Sequence, residues 1–132
     1  LAVSLFDVIE TIDRFKLAKA VARYMNDTDR RPRCFIQVNT GKEPQKAGVL
    51  PEETDEFINI CRTNLNLPVE GLMCIPPTNE EPALHFGLLR EIAERNNIKE
   101  LSMGMSADYE TAIQFGATYV RIGTAIFGSR TV

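Results

Sequence analysis

Short apolar segments alternate with helical ones along the whole chain, and this alternation restricts the fold more than any other feature of the sequence. Strands are predicted at residues 4–11, 33–39, 69–75, 100–104 and 118–122, and helices between them. Such an order produces parallel strands joined by right-handed crossovers. The chain is therefore predicted to be an α/β fold, either an open doubly wound sheet or a (β/α)8 barrel.

The length bears on the choice between these two folds. A (β/α)8 barrel usually requires about 250 residues, whereas this chain has 132, which we treat as a single domain over residues 1–132. The sequence begins at Leu1, not at Met, inside an apolar run. We expect it to be part of a longer protein, with a front portion that precedes these strands if the fold is a barrel.

Capping residues predict where the helices begin. Asp13 is predicted to cap the first helix, and Thr78 or Asn79 the third. A fourth helix is predicted over residues 107–115. The third helix is predicted to bury one stripe of side chains at helical spacing, formed by Leu84, Leu88 and Ile92.

Residues 101–128 contain two strands that each lead into a turn rich in Gly, Ser or Thr and then into a helix. Helix N-termini carry unpaired N–H groups and partial positive charge, so a pair of them is a site for an anion. Ser106 is predicted as an N-cap, and Gly123 leaves its N–H accessible. Alternation places Tyr119, Arg121 and Gly123 on one strand face. The stretch predicts a phosphate site, although two buried strands with ordinary caps would show the same spacing.

Composition excludes several classes of partner. The net charge of -3 provides no basic surface for a nucleic acid or an anionic membrane. No apolar run approaches the length of about 20 residues that a membrane span requires, and no signal peptide is predicted. These features favour a cytoplasmic protein.

Few side chains suggest catalysis. Cys34, Cys61 and Cys74 lie far apart without metal-ligand spacing, so no metal site is predicted and the thiols are expected to be buried. The sole histidine, His85, is expected on a helix surface. In the polar loop after the second strand, Lys46 is either a solvated side chain or a functional group.

Four segments together resemble the pyridoxal phosphate homeostasis proteins. SMGMSADYETAIQFGATYVRIGTAIFGSR, at residues 102–130, carries most of the resemblance, and residues 6–14, 36–49 and 69–77 support it in the same order. That family is similar to the N-terminal domain of alanine racemase, a (β/α)8 TIM barrel that binds pyridoxal 5'-phosphate (PLP). The resemblance implies a partial barrel with about the last five strands.

The resemblance also implies roles for individual residues. Ser106, Gly123 and Thr124 would hold the PLP phosphate, and Arg121 would face the pyridine nitrogen. The remaining cofactor-binding positions would line the mouth or pack near the ring: Asn39, Ser102 and Ile75. No catalytic residue is assigned, because the Schiff-base lysine of the family is expected upstream of Leu1.

The implied function is PLP binding in intracellular PLP homeostasis, by storage or delivery of the cofactor without robust catalysis. Apo-enzymes that depend on PLP would be the recipients, and a monomer or weak homodimer is expected. A PLP-dependent amino-acid racemase of the same fold is the alternative, and a barrel that binds another phosphorylated metabolite is the third possibility. Because arginine can only donate a hydrogen bond, Arg121 favours an unprotonated, weakly electron-withdrawing pyridine. This suits tight holding of PLP, or a racemase with a less stabilised carbanion, better than broad amino-acid chemistry.

Overall fold

A computed structural model describes residues 8–121, apart from the side chain of Glu10. Five strands alternate with four helices. The strands are β1 (Val8–Ile12), β2 (Arg33–Gln37), β3 (Val69–Met73), β4 (Glu100–Met105) and β5 (Tyr119–Arg121). The helices are α1 (Phe15–Thr28), α2 (Pro51–Thr63), α3 (Pro82–Arg95) and α4 (Tyr109–Gln114).

The strands form one sheet in the order β1-β2-β3-β4-β5, and every neighbouring pair is parallel. An open doubly wound sheet reverses its strand order at a switch point, and the described strands contain no such reversal. Strands that follow one another in chain order, with right-handed crossovers, place every helix on the same face. This order is that of a barrel wall.

The sheet is also curved. The ring centroids of Phe35 in β2 and Tyr119 in β5 are 5.3 Å apart, with an interplanar angle of 87°. On a flat sheet, two strands separated by three strand spacings would lie about 14 Å apart. The two rings therefore meet across a concave face, as the inward-pointing side chains of a (β/α) barrel do. The prediction of a partial barrel is confirmed.

Side chains that alternate along the strands divide the interior into two regions. Cys34, Ile36 and Val38 belong to the apolar core between the sheet and the helices. Phe35 and Gln37 point to the opposite, concave face by the period of two. Both are buried. The main hydrophobic core thus lies outside the barrel wall, and the concave face carries a mixture of apolar and polar groups.

The helices begin later than the capping residues suggested. The N-cap of α1 is Arg14 and that of α3 is Glu81, and neither side chain makes a capping hydrogen bond. The predicted caps Asp13, Thr78 and Asn79 are therefore wrong. Leu84 is 71% exposed, so it is not part of the buried stripe of α3. Among the helices of residues 8–121, none combines the length and the apolar character of a membrane-spanning segment.

Candidate functional site

Most predicted site residues within the described part of the chain lie at the carboxyl ends of neighbouring strands. Asn39 follows β2, Ile75 follows β3, and Arg121 is the last described residue of β5. Ser102 lies inside β4, which ends at Met105, and pairs with Met73, the last residue of β3. The strands are parallel, so these ends share one edge of the sheet. This edge is where enzymes of the barrel class place their sites. Gly123 and Thr124, the other two predicted phosphate contacts, lie outside the described residues.

The loop after β2 is closed by the side chain of Asn39. Its Nδ2 donates to the carbonyl oxygen of Glu43 at 2.8 Å, and its Oδ1 accepts from the Glu43 N–H at 3.1 Å. The backbone N–H of Asn39 donates to the carbonyl of Val49 at 2.8 Å. Asn39 is 8% exposed, and both ends of its amide hold the loop in shape. Its contacts make it an organiser of the mouth.

Two further residues fix this loop, and sequence patterns did not reveal either role. Asp13 Oδ2 accepts a hydrogen bond from the Gly48 N–H at 3.0 Å, which ties the end of β1 to the loop after β2. Gly48 has a φ of 117°, and a Cβ there would lie 2.6 Å from the Asn39 nitrogen. Only glycine fits so close to a backbone at a positive φ. Asp13 directly follows a strand, and this position is its only signal in the sequence.

A buried thiol lies beneath the mouth, at the end of β3. Cys74 is 2% exposed, and its burial raises the pKa of the thiol to about 12, although the nearby Thr40 hydroxyl opposes this rise. Cys34 and Cys61 are also buried, and desolvation raises their pKa values to about 12 and about 11. The expectation of buried thiols is confirmed. Such groups are poor nucleophiles at neutral pH because the thiolate form is scarce.

The turn after β4 differs from the prediction. Asp108 is the N-cap residue of α4, and its Oδ1 accepts a hydrogen bond from the Met105 N–H at 2.7 Å. With this hydrogen bond in place, the helix begins only at Tyr109. The prediction of Ser106 as N-cap is wrong, since Ser106 lies exposed in the turn two residues before Asp108. The short helix also offers a weaker dipole than the predicted helix over residues 107–115.

Gly104 brings this turn close to the sheet. Its φ is 103°, and a Cβ there would lie 2.6 Å from the Cβ of Ala112 in α4. The pairing of β4 with β5 shifts at this point: Ser102 lies opposite Tyr119, whereas Met105 lies opposite Arg121. The extra residue is a bulge in β4. The bulge places the end of β4 and the turn at Ser106 beside the end of β5.

Two other side chains were singled out by the sequence, His85 and Lys46. His85 is 6% exposed, and its Nε2 lies 2.9 Å from Oε1 of Glu80, so the expectation of a surface histidine is wrong. The cause is that α3 turns this position towards the core beside Phe86. Lys46 is a half-exposed loop residue, 3.9 Å from the Glu43 carboxylate. Within residues 8–121, no three potential ligands of the His, Cys, Asp or Glu type gather to hold a metal.

Comparison with known proteins agrees with this geometry. The pyridoxal phosphate homeostasis protein of Pseudomonas aeruginosa is 40% identical over 136 residues, which cover 95% of this chain and 56% of that protein. PipY of Synechococcus elongatus has been solved without PLP and with PLP bound, with TM-scores of 0.84 and 0.81. Both structures are 31% identical to this chain and cover 96% of it, and the chain covers 64% and 63% of them.

The chain spans a little over half the length of its curated relatives, for example 56% of the Pseudomonas protein. Its sequence matches the model of the alanine racemase N-terminal domain over residues 1–131. The resemblance to the pyridoxal phosphate homeostasis proteins and the fold expected from it are thereby confirmed. The chain belongs to the alanine racemase N-terminal domain family.

Proposed function

We propose that the protein binds PLP at the carboxyl edge of its sheet and serves cytoplasmic PLP homeostasis, by storage or delivery of the cofactor without robust catalysis. The observation that carries the proposal is the position of Arg121 at the end of β5, opposite Met105 and next to the turn that contains Ser106. The names of the curated relatives and the PLP-bound form of PipY support it.

The chemistry of these residues fits the cofactor. PLP combines an aromatic ring, a ring nitrogen and a phosphate group, so its site needs an apolar surface, one group for the nitrogen and several hydrogen-bond donors. Ile75 is 37% exposed at the end of β3 and offers the apolar surface. The Ser106 hydroxyl is a donor for phosphate, and the Arg121 guanidinium is a donor for the nitrogen.

The choice of arginine for the ring nitrogen determines what the site does with the cofactor. PLP supplies electron withdrawal through its ring, most strongly when the nitrogen is protonated. A guanidinium can only donate hydrogen bonds, so Arg121 would donate to an unprotonated nitrogen. The side chain therefore orients the ring and lowers its reactivity. This combination suits retention of the cofactor better than broad amino-acid chemistry.

The protein environment offers little proton-transfer machinery at the described edge. The Asp108 carboxylate accepts from the Met105 N–H, and the Asn39 amide is engaged with the loop backbone. The buried Cys74 thiol has a pKa of about 12. Neither the amide of Asn39 nor the thiol of Cys74 exchanges protons readily near neutral pH, which supports a binding protein over a racemase.

The proposal is tested with the full-length gene product, titrated with PLP and followed by absorbance. Arg121→Gln should weaken binding by at least tenfold, about 1.4 kcal/mol, and shift the absorption band, because it removes the charged donor at the nitrogen. Arg90→Gln is the matched control, since Arg90 is an exposed arginine of α3 paired with Glu94. Equal affinity of wild type and Arg121→Gln would contradict the proposal.

Two further measurements separate the alternatives. Reduction with borohydride, followed by intact mass and peptide mapping, identifies any lysine that holds PLP covalently. Loss of optical activity from an L-amino acid in the presence of the wild-type protein would favour the racemase. Displacement of PLP by a sugar phosphate at similar concentration would favour a site for another phosphorylated metabolite.

A further inference from the structure

A polar cluster on the concave face joins the starts of three strands. Arg33, the first residue of β2, donates from Nη1 to Glu100 Oε2 at 2.6 Å and from Nη2 to the Tyr119 hydroxyl. Glu100 begins β4 and Tyr119 begins β5. The guanidinium carbon also lies 5.7 Å from the centre of the Tyr119 ring. One side chain of β2 thus reaches across β3 to hold β4 and β5, which carry Ser102 and Arg121 of the candidate site.

The strand in between leaves room for the Phe35 ring beside this bridge. Gly71 of β3 pairs with Phe35 on one side and with Glu100 on the other. A Cβ at Gly71 would lie 2.5 Å from two atoms of the Phe35 ring. The ring therefore occupies the space above the glycine and meets the Tyr119 ring edge to face, at a centroid distance of 5.3 Å. Tyr119 is held twice from β2, by its hydroxyl group and by its ring.

Side-chain contacts add to the backbone pairing of β5. Over residues 119–121 this strand pairs with β4 at two positions, Ser102 with Tyr119 and Met105 with Arg121. Thr118 fixes its start, because the Leu101 N–H donates to Thr118 Oγ1 at 2.9 Å. On the concave face, Tyr119 is held by Arg33 and Phe35 of β2.

Arg121 lies two residues after Tyr119 and therefore on the same face, about 7 Å further along the strand. Ser102 has the same relation to Glu100. We propose that Arg33 and Tyr119 are positioning residues, which fix the direction of β5 and so aim Arg121 at the ring nitrogen of the bound cofactor. This inference rests on the proposed function, since it assigns how the arginine of that site is held.

The electrostatics of the cluster agree with a fixed arrangement. The hydrogen bond with Tyr119, and the carboxylates of Glu100 and Glu70, raise the pKa of the Arg33 guanidinium. Its side chain is 38% exposed and that of Glu100 is 27% exposed, so water screens the pair in part. The cluster therefore contributes more to fixing the positions of its side chains than to the free energy of unfolding.

The test compares PLP with its deaza analogue, in which a C–H group replaces the ring nitrogen, on the full-length gene product. In the wild type, PLP should bind more tightly than the analogue because Arg121 donates to the nitrogen. Tyr119→Phe keeps the ring against Phe35 and removes only the hydroxyl. It should reduce this preference by roughly fivefold to tenfold (a factor of ten is about 1.4 kcal/mol), with affinity for the analogue unchanged.

Arg33→Lys should reduce the preference to a similar extent, because lysine lacks the planar fork that reaches two partners at once. Tyr24→Phe, the same chemical change on α1, is the matched control and should leave the preference unchanged. Equal weakening of both ligands, or an unchanged preference in Tyr119→Phe, would overturn the positioning role. If the wild type bound neither ligand, the proposed function itself would fail, and this result is distinct from the other two.

Discussion

Gly71→Ala should destabilise the protein because the space above Gly71 is already filled. The new methyl group would lie 2.5 Å from Cε2 and Cζ of Phe35 and 2.7 Å from Cδ2, whereas carbon atoms pack best at about 3.5–4.0 Å. The ring is 0% exposed and is held on its other side by Tyr119, so it has no free direction in which to move.

The expected cost follows from these contacts. Inserting a methyl group into a filled core destabilises by about 1–3 kcal/mol. Three close contacts with a ring that cannot retreat place Gly71→Ala near the middle of this range or above, at about 2 kcal/mol. For a domain of this size the melting temperature should fall by roughly 8 °C. Urea denaturation followed by circular dichroism measures the change in the free energy of unfolding.

A matched control and a double-mutant cycle make the reasoning refutable. Gly87→Ala adds the same methyl group in α3, where the nearest atom of Phe115 is 3.4 Å away. It should be neutral or stabilise by up to about 1 kcal/mol through helix propensity. In a Phe35→Leu background, Gly71→Ala should cost at least 1 kcal/mol less, by roughly the overpacking that the ring causes. Equal stability of Gly71→Ala and wild type, or additivity in the cycle, would refute the argument.

Two further predictions concern titratable groups. The hydrogen bond from Asn96, at 2.7 Å, and those from Arg95 lower the pKa of Asp55. Because the pKa is lower in the folded state, the ionised carboxylate stabilises the fold above the unfolded-state pKa. This stabilisation disappears as the pH falls through the folded-state pKa. Asp55→Asn should therefore cost under about 1 kcal/mol at pH 7 for this half-exposed group, and the cost should disappear as the pH falls through the lowered folded-state pKa. Melting temperatures measured against pH test this, with Glu56→Gln on the same helix as the control. The thiols of Cys34 and Cys74, with pKa values of about 12, should react with a disulfide reagent at pH 8 only after denaturation, and rapid labelling of the native protein would contradict their burial.

The succession of strands and helices could be predicted from the sequence because it depends on local periodicity. The apolar run around Ile36 and the helical spacing of Phe57 and Cys61 report burial directly, and four of the predicted strands lie within two residues of the observed ones. The helix starts were less accurate. Asp13 has the composition of a cap, but its carboxylate serves the Gly48 N–H, a contact between residues 35 positions apart.

The candidate site, too, could be predicted only in part from the sequence. The position of Asn39, Ile75 and Arg121 at one edge follows from parallel strands alone, and the motif in residues 102–130 was sufficient to indicate the family. A turn at Ser106 was predicted, but its closure by the Asp108 carboxylate and the bulge at Gly104 were not. Both depend on contacts that form only in the folded chain, from Met105 N–H to Asp108 and from Gly104 to Ala112. The roles of Gly123 and Thr124 at the phosphate remain predictions.

By itself, the sequence determined the α/β class, the parallel direction of the strands and the edge at which a ligand would bind, since these follow from periodicity and chain order. Periodicity did not decide between a doubly wound sheet and a barrel wall. The family resemblance favoured the barrel, and the tertiary structure confirmed it through strand order and curvature, which depend on contacts between distant residues. The bridge from Arg33 across β3 to Glu100 and Tyr119 is such a contact. No local pattern encodes it, since its three members come from three strands, and two of these meet only when the sheet curls.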